Sequence, residues 1–488
     1  MKDIMPHWLA KRAFLSPDQI AIELHNKEKM TFFELNEASE SFARKLARIG
    51  VRKGDKVGLF SSNHTDMIIA IHALSYIGAV VVLLNTRLTK SEITFQVKDA
   101  EVSTIISSDN FYQDLIHMKL PVPIKNYTEV SKGKEKNISL MSEINLEDPF
   151  TIVYTSGTTG SPKGVVHTYG NHWWSAIGSA LNLGLSERDK WLAVLPLFHV
   201  GGFSICMRSV IYGIPVFLLE KFDEEIVNDA ILNRGVTIAS VVTVMLQRLK
   251  ENLGGKKYPK SFRCMLLGGG PVPKPLLEEA VRKNIPVFQS YGLTETSSQI
   301  VTLSPRDSLK KLGSAGKPLF PGQLIIHHPG EDGVGEIFVK GPMVAKGYYN
   351  NPEANKRAFS KGYLATGDLG YLDQEGFLYV VDRRTDLIIS GGENIYPSEI
   401  ESVLSGHAGI KEVAVVGEQD EYWGEVPVAF VVAKDENLTD GMIKKYAKEH
   451  LAKYKVPKRI YFKKELPRTA SNKLMKKELK LELNRVNK

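Results

Sequence analysis

Through most of its 488 residues the chain alternates short apolar runs with amphipathic stretches. Val57–Phe60 has the length and apolar content of a strand, Asn63–Asp66 offers helix-capping side chains, and Met67–Tyr76 has helical character. Gly78 then stops the helix before a second apolar run, Ala79–Leu84. Strand, helix and strand in that order predict a parallel pair with the helix on its face. Similar alternation of strand-like and helical runs appears at Lys190–Leu195 and Val216–Leu219, and it recurs around Asn228–Asn233, Ile238–Val242 and Cys264–Leu267. Between Gly313 and Val381 the runs shorten and glycine and proline break them, as in GEIFVKGP and GFLYVVDRR, so this region is predicted to be β-rich. After Asp382 the order becomes helix Ser398–Leu404, strand Val413–Val416, strand Val428–Val432 and helix Gly441–Leu451. The expectation is an α/β protein with a large N-terminal domain over 1–382, built of parallel-sheet layers plus a small β-rich subdomain. A polar hinge at 383–386 and a C-terminal α+β domain over 387–488 follow.

Composition changes this picture little. At 43% apolar and 24% charged residues the chain is of ordinary globular type, and its length calls for two or three domains. Met67–Leu84 is long enough to span a bilayer, but His72, Ser75, Tyr76 and Gly78 interrupt it, so it reads as helix, break and buried strand. Lys11 and Arg12 stand where a signal peptide needs an apolar run, and two cysteines, Cys206 and Cys264, give no disulfide framework. A cytoplasmic protein without stable membrane insertion is expected. The net charge of +8 is uneven: residues 441–488 hold sixteen Lys/Arg against four Glu. Such a tail suits a small polyanion, an acidic membrane surface or a solvated helical face. Aromatics do not recur through it, which argues against single-stranded nucleic acid.

The candidate chemistry begins at YTSGTTGSPKG, residues 154–164. Its glycines, hydroxyls and lysine suit phosphate, yet four residues after Gly157 stands Pro162, so the common phosphate-loop spacing fails. The loop follows the apolar run Phe150–Tyr154 and precedes helical Asn171–Leu183, which predicts a strand-to-helix junction where backbone N–H groups converge on an anion. Six further motifs follow in order: PLFH at Pro196–His199, LLGGGPVP at Leu266–Pro273, QSYGLTET at Gln289–Thr296, TGDLG at Thr366–Gly370, DRRTDLIISGGENIYPSEIE at Asp382–Glu401, and LPRTASNKLMK at Leu466–Lys476. Together they resemble the signatures of the adenylate-forming superfamily: acyl- and aryl-CoA synthetases, luciferases and peptide-synthetase adenylation domains.

The resemblance implies a two-step reaction. A carboxylate attacks the α-phosphate of ATP and releases pyrophosphate, and a thiol, usually coenzyme A, then displaces AMP. It implies that Thr155, Ser156, Gly157, Thr158, Thr159, Gly160 and Lys163 cover the β- and γ-phosphates. Gly268, Gly269, Gly270, Ser290, Tyr291 and Gly292 would frame the adenine, with Tyr291 on its face. Thr294 would meet the α-phosphate, Glu295 would bind Mg²⁺, and Asp368 and Arg383 would hold the ribose. Lys473 would pair with carboxylate and α-phosphate in the first step; Ser471 and Asn472 stand there in place of the usual Thr-Gly. His199 would separate acyl pocket from thiol tunnel, Gly391 and Gly392 would let pantetheine pass, and Thr385 would be the hinge of a mobile C-terminal domain.

Closer wording, SALNLGLSERDKWLAVLPLFHVGGFS and QSYGLTETSSQIVTLSP among others, resembles one branch, the 2-succinylbenzoate–CoA ligases of menaquinone biosynthesis. A second carboxylate in the substrate calls for a donor, and Arg208, Gln289 and Ser290 are the candidates. For Arg208 an exposed helical position is the competing reading. Two other functions stay open: a different aryl- or fatty-acyl-CoA ligase, and a non-catalytic nucleotide-binding or carrier-delivery module. The expected partners are a small carboxylic acid, ATP and CoA, and the sequence leaves open whether the chain is a monomer or a homo-oligomer.

Overall fold

The computed structural model describes residues 3–155, 162–268, 272, 274–330, 333–383, 388–395, 397–434, 437–467 and 476–486. Two compact units result. Met1–Thr86, Val97–Tyr154 and Gly164–Val381 form the larger; Asp382–Lys488, with Arg87–Gln96 and Thr155–Lys163, form the smaller.

Two mixed sheets carry the larger unit. In the seven-stranded sheet Pro149–Thr155, Val80–Leu83, Lys56–Phe60, Val102–Ser107 and Ile124–Asn126 run parallel in that spatial order. In the nine-stranded sheet six strands run parallel: Val287–Leu293, Cys264–Gly268, Ile238–Val242, Trp191–Ala193, Val216–Leu218 and Ile20–Leu24. The helix Thr65–Ile77 ends at Gly78 in the left-handed conformation, and Val80–Leu83 pairs beside Lys56–Phe60 as the pattern predicts. Every residue from Met67 to Ile77 is buried, so the most apolar window of the chain is core. Among the described residues no helix is long and apolar enough to cross a membrane. The β-rich region is an antiparallel sheet of Gln323–His327, Gly335–Lys340, Tyr363–Leu372 and Phe359–Ser360, with Leu378–Arg383 added on Tyr363–Leu372.

Two local expectations change. The segment after the glycine-rich loop is a strand, Lys163–Thr168, lying beside Pro149–Thr155 and pairing antiparallel with Gly347–Tyr348. The loop therefore joins two strands, and the helix Tyr169–Leu183 begins only after Thr168 caps it through Asn171. The paired β-branched residues Val165 and Val166 favour the extended form that the loop's composition conceals. At Asn63–Asp66 the helix cap is His64, whose Nδ1 accepts from the Asp66 backbone N–H, and Asn63 serves elsewhere.

In the smaller unit Glu393–Ile395, Ile388–Ser390, Gly424–Ala433 and Ile410–Asp420 form a sheet in that order, with Arg459–Phe462 parallel to Gly424–Ala433. Helices Pro397–Ser405 and Asp440–His450 match the predicted pair. Lys455 is buried between Glu92 (2.9 Å) and Glu399 (2.7 Å), which binds the 87–96 segment to this unit. Burial pushes the Glu399 carboxyl up, and the two carboxylates hold Lys455 charged. Some residues of the basic tail are likewise paired within the unit: Lys476 with Glu401, Lys458 with Asp420 and Arg459 with Glu418.

Four histidines are buried in the larger unit. Burial pushes His7 down to about 3 and His72 and His167 down to about 4, and it lowers His172 as well. The unfolded chain binds their protons near 6.5, so this part of the stability is complete above that pH and is lost as pH falls toward 4. Each histidine contributes a slope of up to about 1.4 kcal/mol per pH unit. The thermal midpoint should stay level from pH 8 to 7 and fall steeply between 6.5 and 4.5. A pH series of thermal denaturation checks this, and a level profile down to pH 5 would contradict it.

Candidate active site

The C-terminal ends of the parallel strands in the nine-stranded sheet gather most of the motif residues, where open α/β sheets take their ligands. Gly268 ends its strand beside Ser290, whose hydroxyl donates to the Leu267 carbonyl at 3.0 Å. Gln289 is buried, and its Oε1 accepts from the Val272 N–H at 3.2 Å while its Nε2 has no partner among the described residues. This fastens the segment after LLGGG against the strand of QSYGLTET.

The strand Val287–Leu293 then reverses sharply. A Cβ on Gly292 would stand 2.1 Å from the Ser298 carbonyl oxygen, so only glycine permits the return strand Ser298–Leu303 to approach. Thr294–Thr296 forms one 3₁₀ turn, and Leu293 N–H donates to Thr296 Oγ1 at 2.8 Å, closing it. Thr294 and Glu295 are thus presented, half-exposed, on a braced turn. Glu295 Oε1 accepts from the Tyr348 hydroxyl at 2.8 Å, and the Ala345 N–H donates to the Glu295 carbonyl at 2.7 Å. Among the described residues no three His, Cys, Asp or Glu side chains gather as a metal site. A single carboxylate suits Mg²⁺, which keeps waters and takes substrate phosphate oxygens instead of an all-protein cage.

Tyr291 and Asp368 meet directly. The phenol donates to Asp368 Oδ2 at 2.7 Å, and Asp368 is 3% exposed. The Asp368 backbone N–H donates to Thr366 Oγ1 at 3.1 Å, so the carboxylate is held at both its strand and its side chain. Arg383 ends the strand Leu378–Arg383, next to the strand that carries Asp368.

The PLFH segment is held by Asn63, a residue the sequence pattern assigns to a cap. Its Nδ2 donates to the Leu195 and Leu219 carbonyls at 3.0 and 3.1 Å, and its Oδ1 accepts from the Leu197 N–H at 2.8 Å. His199 follows at the N-cap of helix Val200–Tyr212, its ring edge-on to Phe198. Two turns along that helix sits Arg208, and it is not exposed: only 1% of it is accessible. Its Nη2 donates to Ser298 Oγ at 3.2 Å, its guanidinium lies 5.1 Å over the Trp191 ring, and Nε has no hydrogen-bond partner among the described residues. No described ion pair includes it. Burial pushes its pKa down, and the neighbouring Tyr212 hydroxyl opposes that.

In the smaller unit Gly391 and Gly392 are the two-residue turn of the hairpin Ile388–Ser390/Glu393–Ile395, with φ of 56° and 86°. Consecutive positive φ values make this a glycine turn. A Cβ on Gly391 would stand 2.7 Å from the Trp423 ring, and the Gly391 N–H donates to the Trp423 carbonyl at 2.8 Å. Trp423 is 55% exposed beside Tyr422 at 77%; no motif points to either, and exposed aromatics next to a glycine turn are their one signal. Thr155 ends its strand and Lys163 opens the next one. Ser156, Gly157, Thr158, Thr159, Gly160, Gly269, Gly270, Thr385 and Lys473 lie outside the described residues, as does the side chain of Arg383.

Comparison with known proteins agrees with this arrangement. Residues 9–349 match the family model of the AMP-binding enzymes, and residues 399–473 match the AMP-binding enzyme C-terminal domain. A 2-succinylbenzoate–CoA ligase of Oceanobacillus iheyensis is 56% identical over 98% of this chain and 100% of its own, and that of Bacillus cytotoxicus is 53% identical over 98% of each. Among solved structures, a double mutant of the Bacillus subtilis o-succinylbenzoate CoA synthetase, bound with its product analogue OSB-NCoA, is similar with a TM-score of 0.93. It is 48% identical over 98% of both chains. The same enzyme with the acyl-adenylate intermediate OSB-AMP gives a TM-score of 0.76 at 47% identity over 98% of both chains. The motif residues at the strand ends, the braced Thr294–Glu295 turn and full-length similarity to these enzymes agree, and the chain belongs to the AMP-binding, adenylate-forming enzyme family.

Proposed function

We propose that the chain ligates 2-succinylbenzoate to coenzyme A, using ATP and Mg²⁺, through an acyl-adenylate. An oxygen of the succinyl carboxylate attacks the α-phosphorus of ATP and pyrophosphate leaves; the CoA thiolate then attacks the acyl carbon and AMP leaves. A carboxylate is a poor electrophile, so the phosphoryl step supplies its leaving group, and the protein's part is positioning and charge stabilisation. Asp368, held by Tyr291, accepts from the ribose hydroxyls with Arg383 nearby, and Ser290 and Gly268 flank the adenine. Thr294 meets the α-phosphate, and Glu295 holds Mg²⁺, which offsets triphosphate charge when bound. Lys473 serves the first step, while Gly391, Gly392 and the exposed Trp423 serve the thiol step. Two steps that use different residues of one small unit are the reason to keep Thr385 as hinge. The cytoplasm, with its ATP and CoA, is the assigned compartment, where two buried thiols stay reduced.

Arg208 carries this reading at the level of the acid. A guanidinium buried without a carboxylate is several kcal/mol dearer than a paired one. Its neighbour Ser298 directly follows the turn that presents Thr294 and Glu295. A second carboxylate on the substrate supplies the missing partner, which a fatty acid lacks.

Three outcomes follow from these assignments. Arg208→Met should raise KM for 2-succinylbenzoate at least 30-fold, about 2 kcal/mol, with KM for ATP unchanged and the unliganded thermal midpoint not lowered. An AMP-release assay with 2-succinylbenzoate, benzoate and medium- and long-chain fatty acids reads this, and faster turnover of the fatty acids would overturn the choice of acid. Lys473→Ala should cripple adenylate formation but spare thioester formation from supplied acyl-adenylate; equal losses would refute its role. Gly391→Ala drives a methyl into Trp423 at positive φ, so it should depress the CoA step alone, roughly tenfold. Single-turnover measurement of each half-reaction decides that one.

A further inference from the structure

A chain of hydrogen bonds runs from the two strands that flank the glycine-rich loop to the turn that presents Glu295. His167, on the strand leaving the loop, has Nε2 2.7 Å from the Thr294 carbonyl oxygen. A carbonyl only accepts, so His167 must carry its proton on Nε2, and its Nδ1 is left as an acceptor. Thr151, on the strand entering the loop, lies 3.1 Å from that Nδ1 and must donate its hydroxyl proton to it. The Thr151 oxygen then accepts from His172 Nε2 at 2.9 Å. Thr151 and His167 are 0% exposed and His172 3%, so water does not substitute for any of these bonds. The same strand places a second brace: Val165 and Val166 pair with Tyr348 and Gly347, and Tyr348 donates to the Glu295 carboxylate. The turn is thereby tied to the strand at its backbone, through His167, and at its carboxylate, through Tyr348.

We infer that Thr151 and His167 are positioning residues that hold the Thr294–Glu295 turn, and with it the proposed Mg²⁺-binding carboxylate of Glu295, against the strands Pro149–Thr155 and Lys163–Thr168. The inference rests on the reading of Glu295 given above. Neither residue touches substrate. Both act through the Thr294 carbonyl, whose displacement moves Thr294 and Glu295 together and misplaces the metal relative to the triphosphate. The direction of every bond in the relay is forced by the one acceptor at its end. Losing a single proton donor therefore leaves a buried acceptor unsatisfied and slackens the turn.

The test is the Mg²⁺ concentration for half-maximal adenylate formation, measured in the full-length protein beside thioester formation from supplied acyl-adenylate. Thr151→Val removes the hydroxyl at nearly constant volume. It should raise the Mg²⁺ requirement roughly tenfold and leave the thioester step within about twofold, and Thr151→Ser should recover most of the shift. An unchanged Mg²⁺ requirement in Thr151→Val, or parallel loss of both steps, overturns the inference. Should Thr151→Val fail to fold, His167→Gln against His167→Leu makes the same comparison, since the glutamine amide still donates toward the carbonyl. Glu295→Gln separates the underlying readings. If it too leaves the Mg²⁺ requirement unchanged, the metal assignment falls and takes the inference with it. If it raises the requirement while Thr151→Val does not, only the positioning role falls.

Discussion

The tight return at Gly292 is the constraint on which the ligand-handling face of the larger unit depends. With a Cβ only 2.1 Å from the Ser298 carbonyl, no other residue lets the strand Val287–Leu293 turn back into Ser298–Leu303. Tyr291 stands just before that return, and Thr294 and Glu295 ride on it. Ser298, the partner of Arg208, stands just after it. The residues proposed to meet nucleotide, metal and acid are therefore gathered on or beside one short stretch of backbone, and the surrounding sheets serve to hold it.

Its support comes from several directions. Tyr348 orients the carboxylate, His167 holds the Thr294 carbonyl, and Ser297 Oγ donates to the Met343 carbonyl at 2.9 Å. Buried polar networks of this kind are costly when half satisfied and rigid when complete. Among the described residues the larger unit leaves several buried polar atoms without a partner; Arg208 Nε is the one on a charged group, and the proposed second carboxylate of the substrate is its countercharge.

Much of the architecture was legible because periodicity reports burial. The strands Lys56–Phe60 and Ile238–Val242 and the helix pair of the smaller unit lie within a residue or two of where the pattern puts them. Motif wording carried the family and singled out Gly391 and Gly392, though not the hairpin turn they form. Other features were hidden for physical reasons. The strand after the glycine-rich loop was missed, because its two-residue partner strand, Gly347–Tyr348, is invisible to local pattern. His167 and His172 look like ordinary polar residues until the fold buries them. Arg208 looked equally at home in solvent, since a long side chain on an apolar helix commonly snorkels outward. Trp423 carries no motif, and its place beside Gly391 arises only through the hairpin Ile410–Asp420/Gly424–Ala433.

The placement of Thr151 and His167 on the two stems of the glycine-rich loop has a consequence for recombining such enzymes. Side chains alternate along a strand, so a single-residue slip in Lys163–Thr168 would turn His167 to the opposite face and withdraw it from Thr294. Changes of length confined to the loop between the stems do not carry that penalty. A chimera that exchanges this loop with a distant relative should keep both stems and the Thr294–Glu295 turn from one parent. The exchangeable module is then a discontinuous triad of segments, not the contiguous motif by which the loop is recognised.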